Sequence, residues 1–154
     1  MQVGITQAAM TMTPFERLGG ETVLKRVIDD FVERIFADVM IGFFFRDASK
    51  ARIKMFEYQL AAEFLGAPVV YGGRPLDAAH RRHPIMGGQF ARRKQILMET
   101  LQEHEIPADI IDSWMEHTES LRPLVTQDRG SDCDPELAMR GVLSNETKKI
   151  PKKI

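Results

Sequence analysis

The chain has 154 residues, the length of one domain, and its 44% hydrophobic and 28% charged residues are ordinary for a globular protein. The net charge of −1 excludes a strongly basic protein that is steered to nucleic acid or to an anionic membrane. The single cysteine, Cys133, excludes an internal disulfide and favours a cytoplasmic location. No apolar run approaches the roughly 20 residues that span a bilayer, and residues 1–13 lack the basic start of a signal peptide.

The first half of the chain carries the signals of three helices. Thr13 and Glu16 have the spacing of a capping box around Pro14, and they predict a short helix that ends at a Gly-Gly pair. A longer helix follows the pair. Residues 40–45 predict a tight corner or a short helix, and Ser49 is the predicted N-cap of a helix over residues 50–65. The longer helix has its apolar residues at helical spacing: Leu24, Val27, Ile28, Phe31, Val32 and Ile35.

In the second half, a loop and a very short helical turn precede two helices of ordinary length. Residues 66–75 are rich in Pro and Gly and predict a loop, after which a brief helical turn carries His80. Further helices are predicted over residues 89–104 and from about residue 107. No strand-like alternation of useful length occurs, so the predicted fold class is all-α.

Histidine is the residue type with the clearest chemical potential. The four histidines lack the spacing of a zinc hydrolase, and the chain has no nucleophile elbow and no phosphate-binding glycine loop. His80 differs from the others because it lies on a very short helix between two Gly/Pro breaks. On the residues alone it is either a surface histidine or a metal ligand.

Two charged residues lie on helix faces that are otherwise apolar. Glu57 is flanked at helical spacing by Ile53 and Leu60, and Arg93 is flanked in the same way by Phe90 and Leu97. One interpretation is that both side chains extend to water along the helix surface. The other is that they pair in a pocket, since an unpaired buried charge costs several kcal/mol.

The order of these features resembles the truncated haemoglobin family, and its group I most closely. Six pieces carry the resemblance in one register: the opening helix with its glycine pair (15–20), the second helix (31–38), the Phe44-Phe45 pair, the glycine regions (65–68 and 71–73), and His80 with Ile85 and Phe90 five and ten residues later. The resemblance spans residues 14 to about 126. Residues 1–13 are then an N-terminal extension, and residues 127–154 are a polar, Lys-rich and largely disordered tail.

The resemblance implies a globin-like, two-over-two helical sandwich that encloses one haem b with His80 on the iron. A neutral imidazole is a good ligand for haem iron. His83 is the competing ligand, although the following proline restricts its backbone. The residues expected to contact the haem are Phe45, Ile53, Glu57, Leu60, Ala61, Phe64, Tyr71, His80, Met86, Phe90, Arg93 and Leu97.

The chain departs from the family pattern on the face of the expected haem that lies opposite His80. Val32 stands where the family commonly has a tyrosine, and Glu57 stands where a glutamine or a similar donor is common. Valine cannot donate a hydrogen bond, and an ionised glutamate can only accept one. Arg93, at a position that is usually apolar, could supply the missing donors and neutralise Glu57.

Two functions are compatible with these residues. The first is a haem protein that binds oxygen, nitric oxide, nitrite or peroxide, with Glu57 as proton carrier, Arg93 as anion-stabilising donor and a reductase as electron donor. The second is a haem-free interaction or sensory module in which the Glu57–Arg93 pair fills the former pocket. The presence of His80 in the family's register favours the first. Neither function involves nucleic acid or a membrane.

Overall fold

The computed structural model describes residues 11–81 and 83–127, and the regular secondary structure in this part of the chain is helical, with no β-strand. The predicted all-α class is therefore confirmed. The predicted extension, apart from residues 11–13, and the predicted tail after residue 127 lie outside the described residues. The helices are α1 (Pro14–Leu18), α2 (Gly20–Ala37), α3 (Lys50–Phe64), α4 (Leu76–His80), α5 (Gly87–Glu103), α6 (Ala108–Ser120) and α7 (Arg122–Val125), with a 3₁₀ turn at Gly42–Phe45.

The first helix begins and ends as the sequence predicts. The Thr13 side chain accepts a hydrogen bond from the Glu16 backbone, and the Glu16 side chain accepts one from the Thr13 backbone. Gly19 then ends α1 in the left-handed conformation, with φ of 118°. A side chain at this position would be strained and would collide with Val23, so the glycine is what permits α2 to start immediately in a new direction.

The core forms where α2 packs against α3 and α5, and α5 against α6. The apolar stripe predicted for α2 is buried along its whole length. It meets apolar side chains from the other three helices, and each helix buries one face and leaves the other to solvent. The core residues outside α2 include Ala62, Leu65, Ile96, Leu97, Leu101, Ile110 and Trp114.

A buried carboxylate ties the end of α2 to α5. Asp38 accepts hydrogen bonds from the backbone N–H groups of Met40 and Ile41 and from Nε and Nη2 of Arg92, at 2.8–3.2 Å. Burial by itself would raise the pKa of Asp38, but Arg92 and the backbone donors outweigh it and lower the pKa. The contact holds the N-terminal half of α5 against the corner that follows α2.

Within residues 11–81 and 83–127, no helix is both long enough and apolar enough to cross a membrane.

Candidate functional site

A cavity of about 310 Å³ lies between the helices, and its lining is mainly apolar. This volume lies at the lower end of the roughly 300–1,000 Å³ of small-molecule and cofactor pockets. The side chains that line it come from α2 to α7, from the 3₁₀ turn and from the loops between these elements. The expected haem contacts that line the cavity are Phe45, Ile53, Glu57, Leu60, Ala61, Phe64, Tyr71, His80, Phe90, Arg93 and Leu97.

Met86 is the expected contact that the structure places elsewhere. It precedes α5 with an extended backbone, its N–H donates to the side chain of Gln89, and the residue is 45% exposed. Met86 belongs to the cap of α5 and does not line the cavity, so its contact with a haem stays a prediction. Val32 also lies away from the cavity lining, fully buried in the core.

His80 presents one ring nitrogen that is committed and one that is available. Its Nδ1 donates a hydrogen bond to the Leu76 carbonyl at 2.7 Å, one helical turn earlier. The proton on Nδ1 leaves the lone pair on Nε2. Burial lowers the pKa of His80, so the imidazole is neutral at pH 7. A neutral imidazole with a free nitrogen at an apolar cavity is suited to bind a metal.

The short helix that carries His80 is held in place from the other end of the domain. Helix α4 has five residues and no side-chain N-cap, so it has little stability of its own. Helix α7 packs against it. The Gln127 backbone N–H donates to the Ile85 carbonyl at 3.0 Å, and the Gln127 side-chain amide donates to the carbonyls of Arg81 and His83 at 3.3 and 3.4 Å. These contacts fix the chain directly after His80.

The two charges on apolar helix faces meet in the cavity wall. Arg93 Nη2 donates to Glu57 Oε1 at 2.6 Å, with exposed side-chain fractions of 27% for Arg93 and 22% for Glu57. The Arg93 guanidinium carbon also lies 5.0 Å from the ring centre of Phe31, which is fully buried. Of the two interpretations of these charges, the paired one describes this structure.

A third histidine lines the cavity beside His80 and His83, and it was missed from the sequence. The His117 ring stacks on Phe64 with ring centres 4.1 Å apart and planes 6° apart. Burial lowers the pKa of His117, so this imidazole is also neutral at pH 7. The helical spacing from Trp114 through His117 to Leu121 places it on the inward face of α6, and that signal could have identified it.

The side chains of the cavity suit a metal ion that is already bound in an organic macrocycle better than they suit a bare metal ion. Among the described residues, no group of three or more His, Cys, Asp or Glu side chains could hold a bare metal ion. The cavity offers the Nε2 of His80 and a large apolar surface. A haem needs one or two protein ligands and an apolar enclosure, so these residues fit it.

Comparison with known proteins identifies the family. A sequence model described as "Bacterial-like globin" matches residues 13–127. The chain belongs to this family. Its relatives include the group 1 truncated hemoglobin GlbN of Synechocystis, which is 31% identical over 103 residues, covering 64% of this chain and 83% of that protein. The predicted resemblance to group I truncated haemoglobins is thereby confirmed.

Solved structures of truncated haemoglobins share the fold. The Fe(III) form of the truncated hemoglobin from Tetrahymena pyriformis superposes with a TM-score of 0.71 at 23% identity, over 76% of this chain and 100% of that chain. THB1 of Chlamydomonas reinhardtii gives a TM-score of 0.64 at 28% identity, over 73% of this chain and 95% of that chain. The two-over-two helical arrangement of this chain is therefore that of a truncated globin.

Proposed function

We propose that this globin binds haem b in its cavity, with Nε2 of His80 as the protein ligand to the iron, and that it binds a small diatomic molecule such as oxygen or nitric oxide. Haem binding is the general property of the globin family to which the chain belongs. The observation that carries the assignment of His80 is its hydrogen bond to Leu76, which leaves the unprotonated nitrogen for the metal.

The residues of the chain have separate tasks in this proposal. His80 supplies the metal ligand, and its hydrogen bond to the Leu76 carbonyl sets the ring orientation. The apolar side chains of the lining, such as Phe45, Leu60, Phe64 and Phe90, would pack against the haem and keep water from it. When bound, the haem supplies an iron atom with an open position for a small ligand.

A haem-free globin is the second candidate, and one observation favours it. The Glu57–Arg93 ion pair lies in the cavity wall, where an apolar lining would suit a haem better. The pair does not fill the space, however, since about 310 Å³ is empty with both side chains in place. His80 would also have no task in such a module. The haem-binding function accounts for both the cavity and His80.

An electron donor and a cellular location complete the proposal. A haem iron that is oxidised during ligand turnover requires a reductase to restore it, and we propose a reductase of this kind as partner. The lone cysteine supports the cytoplasm as the location.

Titration of the haem-free protein with haemin, followed by absorption in the Soret region, tests the function. We expect saturation at one haem per chain for the unmodified protein. His80→Ala should shift the Soret band and weaken haem binding, because the iron loses its protein ligand. His83→Ala is the matched control, since His83 also lines the cavity, and its spectrum should be unchanged.

Two results would contradict the proposal. If the unmodified protein showed no Soret band with excess haemin, the haem-free candidate would replace it. If His83→Ala changed the spectrum and His80→Ala did not, the ligand would be His83.

A further inference from the structure

The cavity contains one cation whose hydrogen-bonding capacity is largely unused. A guanidinium carries five N–H donors, and the single hydrogen bond of Arg93 among the described residues goes to Glu57. No other Lys or Arg side chain among these residues lines the cavity. The remaining Arg93 donors are therefore available to a ligand in the same space.

Two neutral hydroxyl donors that line the cavity are committed to the protein. The Tyr71 hydroxyl donates to the Arg74 carbonyl at 2.8 Å, and the Thr118 hydroxyl donates to the Trp114 carbonyl at 2.8 Å. Burial raises the pKa of Tyr71, so this phenol keeps its proton. Val32 supplies no donor. A ligand that enters the cavity finds a cationic donor in the place of these neutral ones.

The position of Arg93 is fixed from two directions. Phe31 lies beneath the guanidinium at 5.0 Å and is fully buried, so this ring cannot move away. Glu57 holds Nη2 from α3. A planar cation on an aromatic ring, with its other N–H groups unpaired, is preorganised to donate charge-assisted hydrogen bonds to an anion.

Glu57 competes with such an anion for the same guanidinium. The two side chains together carry no net charge, and they form a site that an anion enters by displacing the carboxylate. Attraction between Arg93 and an anion is stronger at an apolar cavity than in water, because the surrounding dielectric is lower. Neutral diatomic molecules gain much less from a guanidinium.

We propose that Arg93 makes this globin selective for small monoanions, of the chemical class of azide, fluoride and nitrite, and that Glu57 is the displaceable counter-ion that weakens their binding. This inference rests on the proposed haem function, since the anion would bind a ferric iron held by His80 and would accept hydrogen bonds from Arg93. It adds a ligand class that the apolar walls and His80 do not predict.

Equilibrium titrations of the haem-loaded protein provide the test. Azide, fluoride and nitrite are titrated into the ferric form, and carbon monoxide into the ferrous form as a neutral reference. Arg93→Leu should weaken binding of the anions about tenfold to a hundredfold, the range expected for loss of charge-assisted hydrogen bonds, and should change carbon monoxide affinity less than about threefold. Glu57→Gln should tighten anion binding by about threefold or more.

Lys94→Leu is the matched control. Lys94 follows Arg93 directly on α5, pairs with Glu119 at 2.9 Å, and does not line the cavity. Its removal takes the same charge from the same helix and should leave the anion affinities unchanged. An equal loss in Arg93→Leu and Lys94→Leu would show a general charge effect and would overturn the inference.

The outcomes separate this inference from the function on which it rests. An absent Soret band in the unmodified protein removes both. A normal Soret band with unchanged anion affinity in Arg93→Leu overturns the anion site alone. If Arg93→Leu does not hold haem, Glu57→Gln decides: tighter anion binding supports the inference, and unchanged or weaker binding overturns it.

Discussion

His80 and Arg93 line the same cavity, but different parts of the fold hold them in place. Arg93 lies on α5, a helix of 17 residues that contributes to the core and is tied to the end of α2 through Arg92 and Asp38. His80 ends a helix of five residues, which the contacts of Gln127 and α7 hold in place. Arg93 is thus fixed by the core, whereas His80 is held by a few contacts with Gln127 and α7.

This difference indicates which side can adjust. Local opening requires little free energy where few buried apolar contacts and exposed hydrogen bonds hold a segment. Each residue of α4 is at least partly exposed, whereas α5 has five buried residues. We therefore expect His80 to move with a bound metal and Arg93 to keep its position.

The largest effect is expected from breaking the support of the Arg93 side. Asp38→Asn should lower the free energy of unfolding by about 1–3 kcal/mol, because a partly buried charge-assisted contact with Arg92 is lost. The pKa of Asp38 is lowered in the folded protein, so its contribution is present at neutral pH and disappears as the pH falls through that lowered pKa. Urea unfolding at several pH values measures both.

The control for Asp38 is an exposed carboxylate in a comparable pair. Asp109 pairs with Arg17 at 2.7 Å, but both side chains are largely solvated, and Asp109→Asn should change stability little. Equal losses in the two variants, or a loss in Asp38→Asn that persists in acid, would contradict the assignment of Asp38 as the support of α5.

A smaller effect on stability is expected from breaking the support of the His80 side. Gln127→Ala removes the side-chain hydrogen bonds to Arg81 and His83 and keeps the backbone bond to Ile85, so stability should fall by less than about 1 kcal/mol. The rate of haem loss should nevertheless rise severalfold, because the chain after His80 is released. Transfer of haem to an excess of an acceptor protein measures this rate.

Gln95→Ala tests whether the effect is specific to that position. Gln95 is an exposed glutamine on α5 that donates to Glu99, away from the cavity. Its substitution should leave haem loss unchanged. If Gln127→Ala and Gln95→Ala lost haem at the rate of the unmodified protein, Gln127 would have no role in holding His80.

The sequence was sufficient for the features that depend on local patterns. The capping box at Thr13 and the buried stripe of α2 follow from spacing within a few residues, and both are present in the structure. A pair between Glu57 and Arg93 was one of two interpretations that the sequence offered, because each charge interrupts an apolar face. That interpretation was based on the free energy needed to bury an unpaired charge, and it used no knowledge of which residues are in contact.

The remaining features depend on residues that are distant in the chain. Asp38 and Arg92 are 54 positions apart, and Gln127 lies 46 positions after Arg81, so no helical period links them. The stack of His117 on Phe64 likewise joins α6 to α3.

The central claim, that His80 is the metal ligand of the cavity, is tested most directly by replacing its side chain with a free imidazole. His80→Gly leaves a space that added imidazole can enter. The resonance Raman spectrum of the ferrous, haem-loaded variant should lack the iron–imidazole stretching band and regain it with imidazole. A band in His80→Gly without imidazole, equal to that of the unmodified protein, would show that another residue binds the iron.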